Sequence, residues 1–183
     1  MRFITENTGR PPGGDCRSIT MFVGMSAHPL TFRRTTSADP TFCEFVDQLN
    51  AYLAPINGEE HTFYDSHSKT DSIPHVLVAY QDELAVGCGA LRELAPGTVE
   101  IKRMYVPPAG RGQGVGSRVL AALEAWAAEL GFERAVLETG NYMPDALALY
   151  RKNGYAEIER YPPYVEAERS VCFGKMLVDW EED

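Results

Sequence analysis

The sequence has no CxxC pair, no apolar run long enough to cross a bilayer and few cations for its size. Its four cysteines, Cys16, Cys43, Cys88 and Cys172, are scattered along 183 residues. That spacing excludes a paired-cysteine redox or zinc motif and predicts reduced thiols. The missing apolar run excludes a helical membrane span, so no membrane partner is expected. Residues 1–19 lack the apolar stretch and small-residue cleavage site of a secretory signal, which with the thiols predicts a cytoplasmic protein. Lys plus Arg number 17 against 26 Asp plus Glu, a net charge of −9. Broad binding to duplex nucleic acid needs clustered cations and is therefore not expected.

What is present is ordinary for a folded domain: 44% hydrophobic and 23% charged residues. Residues 1–28 are expected to be a poorly ordered leader, since Arg10-Pro-Pro-Gly-Gly14 holds neither helix nor central strand. Residues 29–183 form the domain. Leu30–Arg34 alternates like a strand. Ser37 is the expected N-cap of a helix carrying Phe42, Phe45, Val46, Leu49 and Leu53 at helical spacing, which ends between Pro55 and Gly58. Residues 59–73 suggest a short helix and a loop. His75–Tyr80 and Leu84–Arg92 flank an Asp82-Glu83 turn as a hairpin, and Thr98–Val106 follows as a strand. Val115–Leu130 is amphipathic, with Val119, Leu123, Trp126 and Leu130 on one face and Leu120 and Ala127 flanking. Gly131 stops it. Ala135–Leu137 is a buried strand, Pro144 opens a short helix through Tyr150, and 154–158 and 171–178 are the closing strands. The pattern predicts a mixed α/β domain with an antiparallel start and one parallel crossover.

The most informative stretch is Arg111-Gly-Gln-Gly-Val-Gly-Ser117, set between a strand and a strong helix. Glycines let the backbone approach a ligand, and the helix start adds unpaired N–H groups and a positive dipole end. This is a site for a pyrophosphate, with Arg111 as a mobile cation beside it. The Lys of a P-loop is absent, and the third glycine of a dinucleotide fingerprint falls on Ser117 or Val115. Glu138, ending the next strand, is where a ribose-binding acid would sit in that fold. A nucleotide-binding oxidoreductase is thus disfavoured.

The spacing that fits is Arg/Gln-x-x-Gly-x-Gly/Ala at Arg111, Gly114 and Gly116. With Met104-Tyr-Val106 before it and Leu149-Tyr-Arg-Lys-Asn-Gly-Tyr155 after it, the chain resembles the GNAT superfamily of acetyl-CoA-dependent N-acetyltransferases from about Leu30 to Leu177. The resemblance implies a mostly antiparallel sheet, flanked by helices, that splays between the Val106 and Val136 strands around the cosubstrate acetyl-CoA. It implies pyrophosphate contacts from Arg111, Gly112, Gln113, Gly114, Val115, Gly116 and Ser117. It implies strand-like pairing of the pantetheine arm with Met104, Tyr105 and Val106, where a backbone N–H would polarise the thioester carbonyl. Tyr150 matches the tyrosine that protonates the leaving thiolate, and Glu100, eleven residues before Arg111, a glutamate that serves some members as general base, often through water. Strand alternation would put Glu100, Lys102 and Met104 on one face and Ile101, Arg103 and Tyr105 on the other. Where many relatives carry a pantetheine-holding asparagine, seven residues before Tyr150, this chain has Met143.

The acceptor pocket is expected among the early helices, residues 59–73 and Tyr161–Tyr164, a region holding His61, Tyr64, Asp65, His67, Asp71, Tyr161 and Tyr164. His61, Asp65 and His67 match no zinc spacing, so no metal is expected. The expected activity is acetyl transfer to a primary amine of a small molecule or amino acid by direct attack in a ternary complex. A basic peptide is an alternative acceptor, and the assembly a monomer or homodimer. A catalytically idle acyl-CoA sensor or scaffold is the rival reading, disfavoured by the presence of both Glu100 and Tyr150.

Overall fold

A computed structural model describes residues 29–58 and 73–178 of the chain. The expected leader and most of the 59–73 segment lie outside the described residues. Among those described, seven strands form one sheet in the order β1-β2-β3-β4-β5-β7-β6. They are β1 (Leu30–Thr35), β2 (His75–Gln81), β3 (Leu84–Ala95), β4 (Thr98–Tyr105), β5 (Arg134–Gly140), β6 (Ala156–Ile158) and β7 (Ser170–Met176). Every neighbouring pair is antiparallel except β4 and β5. The helices are α1 (Pro40–Asn57), α2 (Val115–Glu129) and α3 (Pro144–Lys152). None of them is long and apolar enough to cross a membrane.

The central strands are buried on both faces, which is why β2 reads as an unbroken apolar run. Val76 and Val78 join Phe42, Phe45 and Val46 of α1 on one face. Leu77 and Ala79 join Val119, Leu120, Leu123 and Ala127 of α2 on the other. Leu120 and Ala127, expected to flank the stripe, are fully buried, whereas Leu130 lies beyond the helix end and is 42% exposed. Gly89 brings α2 close to β3: a Cβ there would lie 2.6 Å from Leu123 Cδ1 and 2.8 Å from Met104 Sδ.

The cap of α1 is Asp39, not Ser37. Asp39 Oδ1 accepts from the N–H of Thr41 at 2.9 Å and of Phe42 at 3.2 Å. Pro40 occupies the first turn, so its fixed φ places the cap one residue before it. Ser37 instead donates its backbone N–H to the Ile73 carbonyl. Pro55 lies inside the last turn, and Gly58 closes the helix at φ +55°.

Candidate active site

The sheet opens where β4 and β5 part. Their pairing is confined to Thr98↔Arg134, Val99↔Ala135 and Glu100↔Val136. Beyond Glu100, β4 runs on to Tyr105 and β5 to Gly140 without further pairs, so one edge of β4 from Ile101 onward has no partner strand among the described residues. The β3–β4 register jumps in the same stretch: Ala90 faces Lys102, but Cys88 faces Tyr105. This is a β-bulge, and Arg103 sits in it at φ +55°. A bulge bends its strand and re-aims the side chains after it.

The bulge corrects the simple alternation. Glu100 and Lys102 do share a face, but Met104 packs with Ile101 on the α2 side, and Tyr105 packs with Phe45 on the α1 side. Arg103 turns toward α1, where its Nη1 donates to Asn50 Oδ1 at 2.8 Å.

A cleft of about 160 Å³ fills the gap. Its walls are Glu100 to Met104 of β4, Glu138 to Gly140 of β5, Ala146 and Tyr150 of α3, Leu49 and Leu53 of α1, and Tyr164. Met143, standing where the resemblance has an asparagine, also lines it. His61, Tyr64, Asp65, His67 and Asp71 lie outside the described residues.

Glu100 is not a solvent-facing strand residue; it is 1% exposed. Its Oε2 accepts from Arg92 Nη2 at 2.7 Å. Its Oε1 accepts from Lys102 Nζ at 3.3 Å, Tyr161 OH at 3.2 Å and Tyr164 OH at 3.3 Å. Lys102 Nζ also donates to Tyr164 OH at 3.1 Å. Burial lowers the proton affinity of the Lys102 amine, opposed by the Glu100 charge. Burial, then the Glu100 charge, pushes both phenols above the ordinary tyrosine range, so they remain donors.

The sequence reading gave Glu138 no part in transfer, yet it lies across the gap from Lys102. Its Oε1 accepts from Ser170 Oγ at 2.6 Å. Burial raises its proton affinity, with the hydroxyl bond and the Lys102 charge acting in the opposite direction. The splay accounts for its place: once β5 leaves β4 after Val136, Glu138 lines the gap while Leu137 turns into the core. Cys172, opposite Glu138 on β7, is a buried thiol whose proton is held more tightly than usual, first by burial. That suits an apolar packing residue, not a nucleophile.

Tyr150 lines the cleft and packs against Tyr155 and Phe173 at centroid distances of 6.0 and 5.9 Å. Burial, then the Glu138 charge, raises its affinity for its proton. α3 is tied to the start of α2 by Asn153 Nδ2, which donates to Ser117 Oγ at 3.0 Å.

The glycine turn stands at the outer end of the gap. Gly112 and Gly114 both adopt φ +77°, and Gly114 begins α2 with no side-chain cap. A Cβ at either would meet nothing within 4 Å, so the glycines serve the backbone conformation and not close packing. At Gly116 a Cβ would touch Leu149 Cδ2 at 3.4 Å. The free N–H groups at the start of α2 and the unpartnered edge of β4 fit the pyrophosphate and extended arm of a CoA thioester.

Residues 41–155 match the acetyltransferase (GNAT) family. An IAA acetyltransferase of Azospirillum brasilense is 32% identical over 150 residues, which cover 81% of this chain and 98% of that protein. A Klebsiella pneumoniae structure described as a candidate acyl-CoA N-acyltransferase superposes with a TM-score of 0.69 at 30% identity, over 81% of this chain and 98% of that one. A Bacillus subtilis acetyltransferase in complex with CoA has a TM-score of 0.61 at 18% identity, over 82% and 100% of the two chains. The chain belongs to the GNAT acetyltransferase family and is an acyltransferase.

Proposed function

We propose that this enzyme moves an acetyl group from acetyl-CoA to the primary amine of a small molecule or amino acid, by direct attack in a ternary complex. The observation that carries this reading is the parting of β4 and β5 after Glu100, with two carboxylates and Tyr150 facing the gap. Acetyl-CoA supplies an acetyl group already activated as a thioester. Backbone N–H groups from Gly112 to Ser117, with Arg111, hold its pyrophosphate, and the free edge of Met104–Val106 pairs with the pantetheine arm.

The acceptor amine must shed a proton as it attacks. Glu100 has four donors on its two oxygens, whereas Ser170 is the one donor to Glu138 among the described residues. Glu138 therefore has the free capacity to take the amine's proton, and its raised proton affinity suits a general base. Glu100 fixes Lys102, Tyr161 and Tyr164 in place. Tyr150, which keeps its phenol proton, supplies one to the departing thiolate.

The test is thiol release from acetyl-CoA against a panel of amines, amino acids and basic peptides. At least one small amine should turn over, and Glu138→Gln should lose far more kcat than stability. Tight CoA binding with no turnover on any acceptor would identify a sensor instead. Full activity in Glu138→Gln together with collapse in Glu100→Gln would return the base role to Glu100.

A further inference from the structure

The mechanism above leaves one buried charge without a task. Lys102 is 8% exposed, and burying an ammonium is costly unless nearby anions compensate. Glu100 is the obvious partner, but Glu100 already holds Arg92 at 2.7 Å, closer than Lys102 at 3.3 Å. A second cation on Glu100 adds little to the neutralisation of that carboxylate. The other carboxylate that Lys102 faces is Glu138, on the far wall of the gap.

We propose that Lys102 is a positioning residue for acetyl transfer: held by Glu100 and Tyr164, its ammonium faces Glu138 across the cleft and keeps that carboxylate ionised, ready to take the acceptor's proton. This rests on the reading of Glu138 as the base.

The geometry gives each neighbour a part. Glu100 and Tyr164, themselves hydrogen-bonded to each other, both accept from the Lys102 Nζ, so the charge is held inside the cluster and does not swing out to solvent. Arg92 balances Glu100, which leaves the Lys102 charge to act across the gap. Among the described residues, the groups acting on Glu138 are Lys102 and Glu100 on β4 and Ser170 on β7. Tyr150 on α3, Tyr164, and Cys172 on β7 feel the Glu138 charge in turn; Arg103 lines the cleft on β4, and Arg92 reaches the cluster through Glu100. Lys102 is the member of this set that acts on Glu138 with a positive charge. A protonated acceptor entering the cleft would meet a like charge at Lys102 and a proton acceptor at Glu138, and both favour attack by the neutral amine.

The experiment is a pH titration of side-chain carboxyl signals by NMR, in protein labelled with 13C-glutamate. The Glu138 signal is assigned by its disappearance in Glu138→Gln, and no acceptor is needed. Lys102→Met should raise the Glu138 midpoint by about 1 pH unit, the lower end of the effect of an opposite charge at close range. Lys102→Arg, which keeps the charge, should leave the midpoint near the wild-type value. An unmoved midpoint in folded Lys102→Met overturns the inference. Should Lys102→Met fail to fold, Lys102→Gln replaces it, and an unmoved midpoint there counts equally against the inference. An equal rise in Lys102→Arg and Lys102→Met would mark a packing effect and overturn it too. Failure of the base reading shows separately, as undiminished acetyl transfer by Glu138→Gln.

Discussion

Arg111 folds back onto the end of β4: its Nε donates to the Val106 carbonyl at 3.0 Å, and its guanidinium lies 5.0 Å from the centre of the Tyr52 ring. Tyr52 belongs to α1, so the glycine turn is clasped between that helix and the strand that leads into the turn. The other guanidinium nitrogens have no protein acceptor among the described residues and are free for a phosphate. Arg111→Ala should raise the KM for acetyl-CoA about tenfold with little change in kcat, as expected for loss of one charge-assisted hydrogen bond worth about 1.5 kcal/mol. Initial-rate kinetics over a range of acetyl-CoA concentrations checks this, and a fall in kcat at unchanged KM would remove Arg111 from cofactor binding.

Gly114→Ala separates backbone conformation from packing. The position is left-handed, at φ +77°, with open space around a Cβ. The substitution should cost about 1–2 kcal/mol of stability through the backbone alone. It should also tilt the first N–H groups of α2 and weaken CoA binding. Gly89→Ala is the contrasting case, an ordinary backbone with a Cβ 2.6 Å from Leu123 Cδ1. It should cost about 1–3 kcal/mol by overpacking. Denaturant melts and CoA titrations on both variants should show binding lost out of proportion to stability in Gly114→Ala.

Most of this architecture was legible in the sequence because it rests on local signals. Glycine at a left-handed turn, proline at a first helical position and apolar residues at helical or alternating spacing each act within a few residues. Asp39 was legible too, through Pro40 after it, but Ser37 offered an equally good side chain two positions earlier. The bulge at Arg103 was not legible: it depends on how Cys88 and Tyr105 meet across two strands. Its consequence, Met104 and Tyr105 on faces opposite to those of a plain alternation, was hidden with it. The Glu100 cluster was only half visible. Tyr161 and Tyr164 could be assigned to the acceptor side, but that they and Arg92 converge on one carboxylate is a property of the folded sheet. Glu138 was hidden for a related reason, since nothing local says on which side of a strand the sheet will open.

Glu100→Gln should be a stability variant. Neutralising a carboxylate that is 1% exposed leaves Arg92 without its anion and the buried Lys102 with only Glu138 across the gap. Breaking a buried pair costs about 3–5 kcal/mol. The Arg92 side chain is 38% exposed and regains water, so the expected loss is about 2–3 kcal/mol. Chemical denaturation measures it directly. A loss below about 0.5 kcal/mol, the level of ordinary surface changes, would mean that the cluster is hydrated and that Glu100 does not anchor it.

Tyr150→Phe removes one oxygen and keeps the ring that packs on Tyr155 and Phe173. If the phenol protonates the departing thiolate, the loss falls on the transition state. Turnover should drop about 100-fold, the lower end of what a positioned acid contributes. Affinity for CoA should stay nearly unchanged, because uniform binding is not what the hydroxyl provides. The drop should shrink with an acyl donor whose thiol is more acidic than CoA, since such a thiolate leaves without needing a proton. Initial rates with acetyl-CoA and with the acetyl ester of a more acidic thiol, each measured in wild type and variant, separate the two roles. A variant that loses CoA affinity and slows equally on both donors would place the Tyr150 hydroxyl in packing rather than in proton transfer.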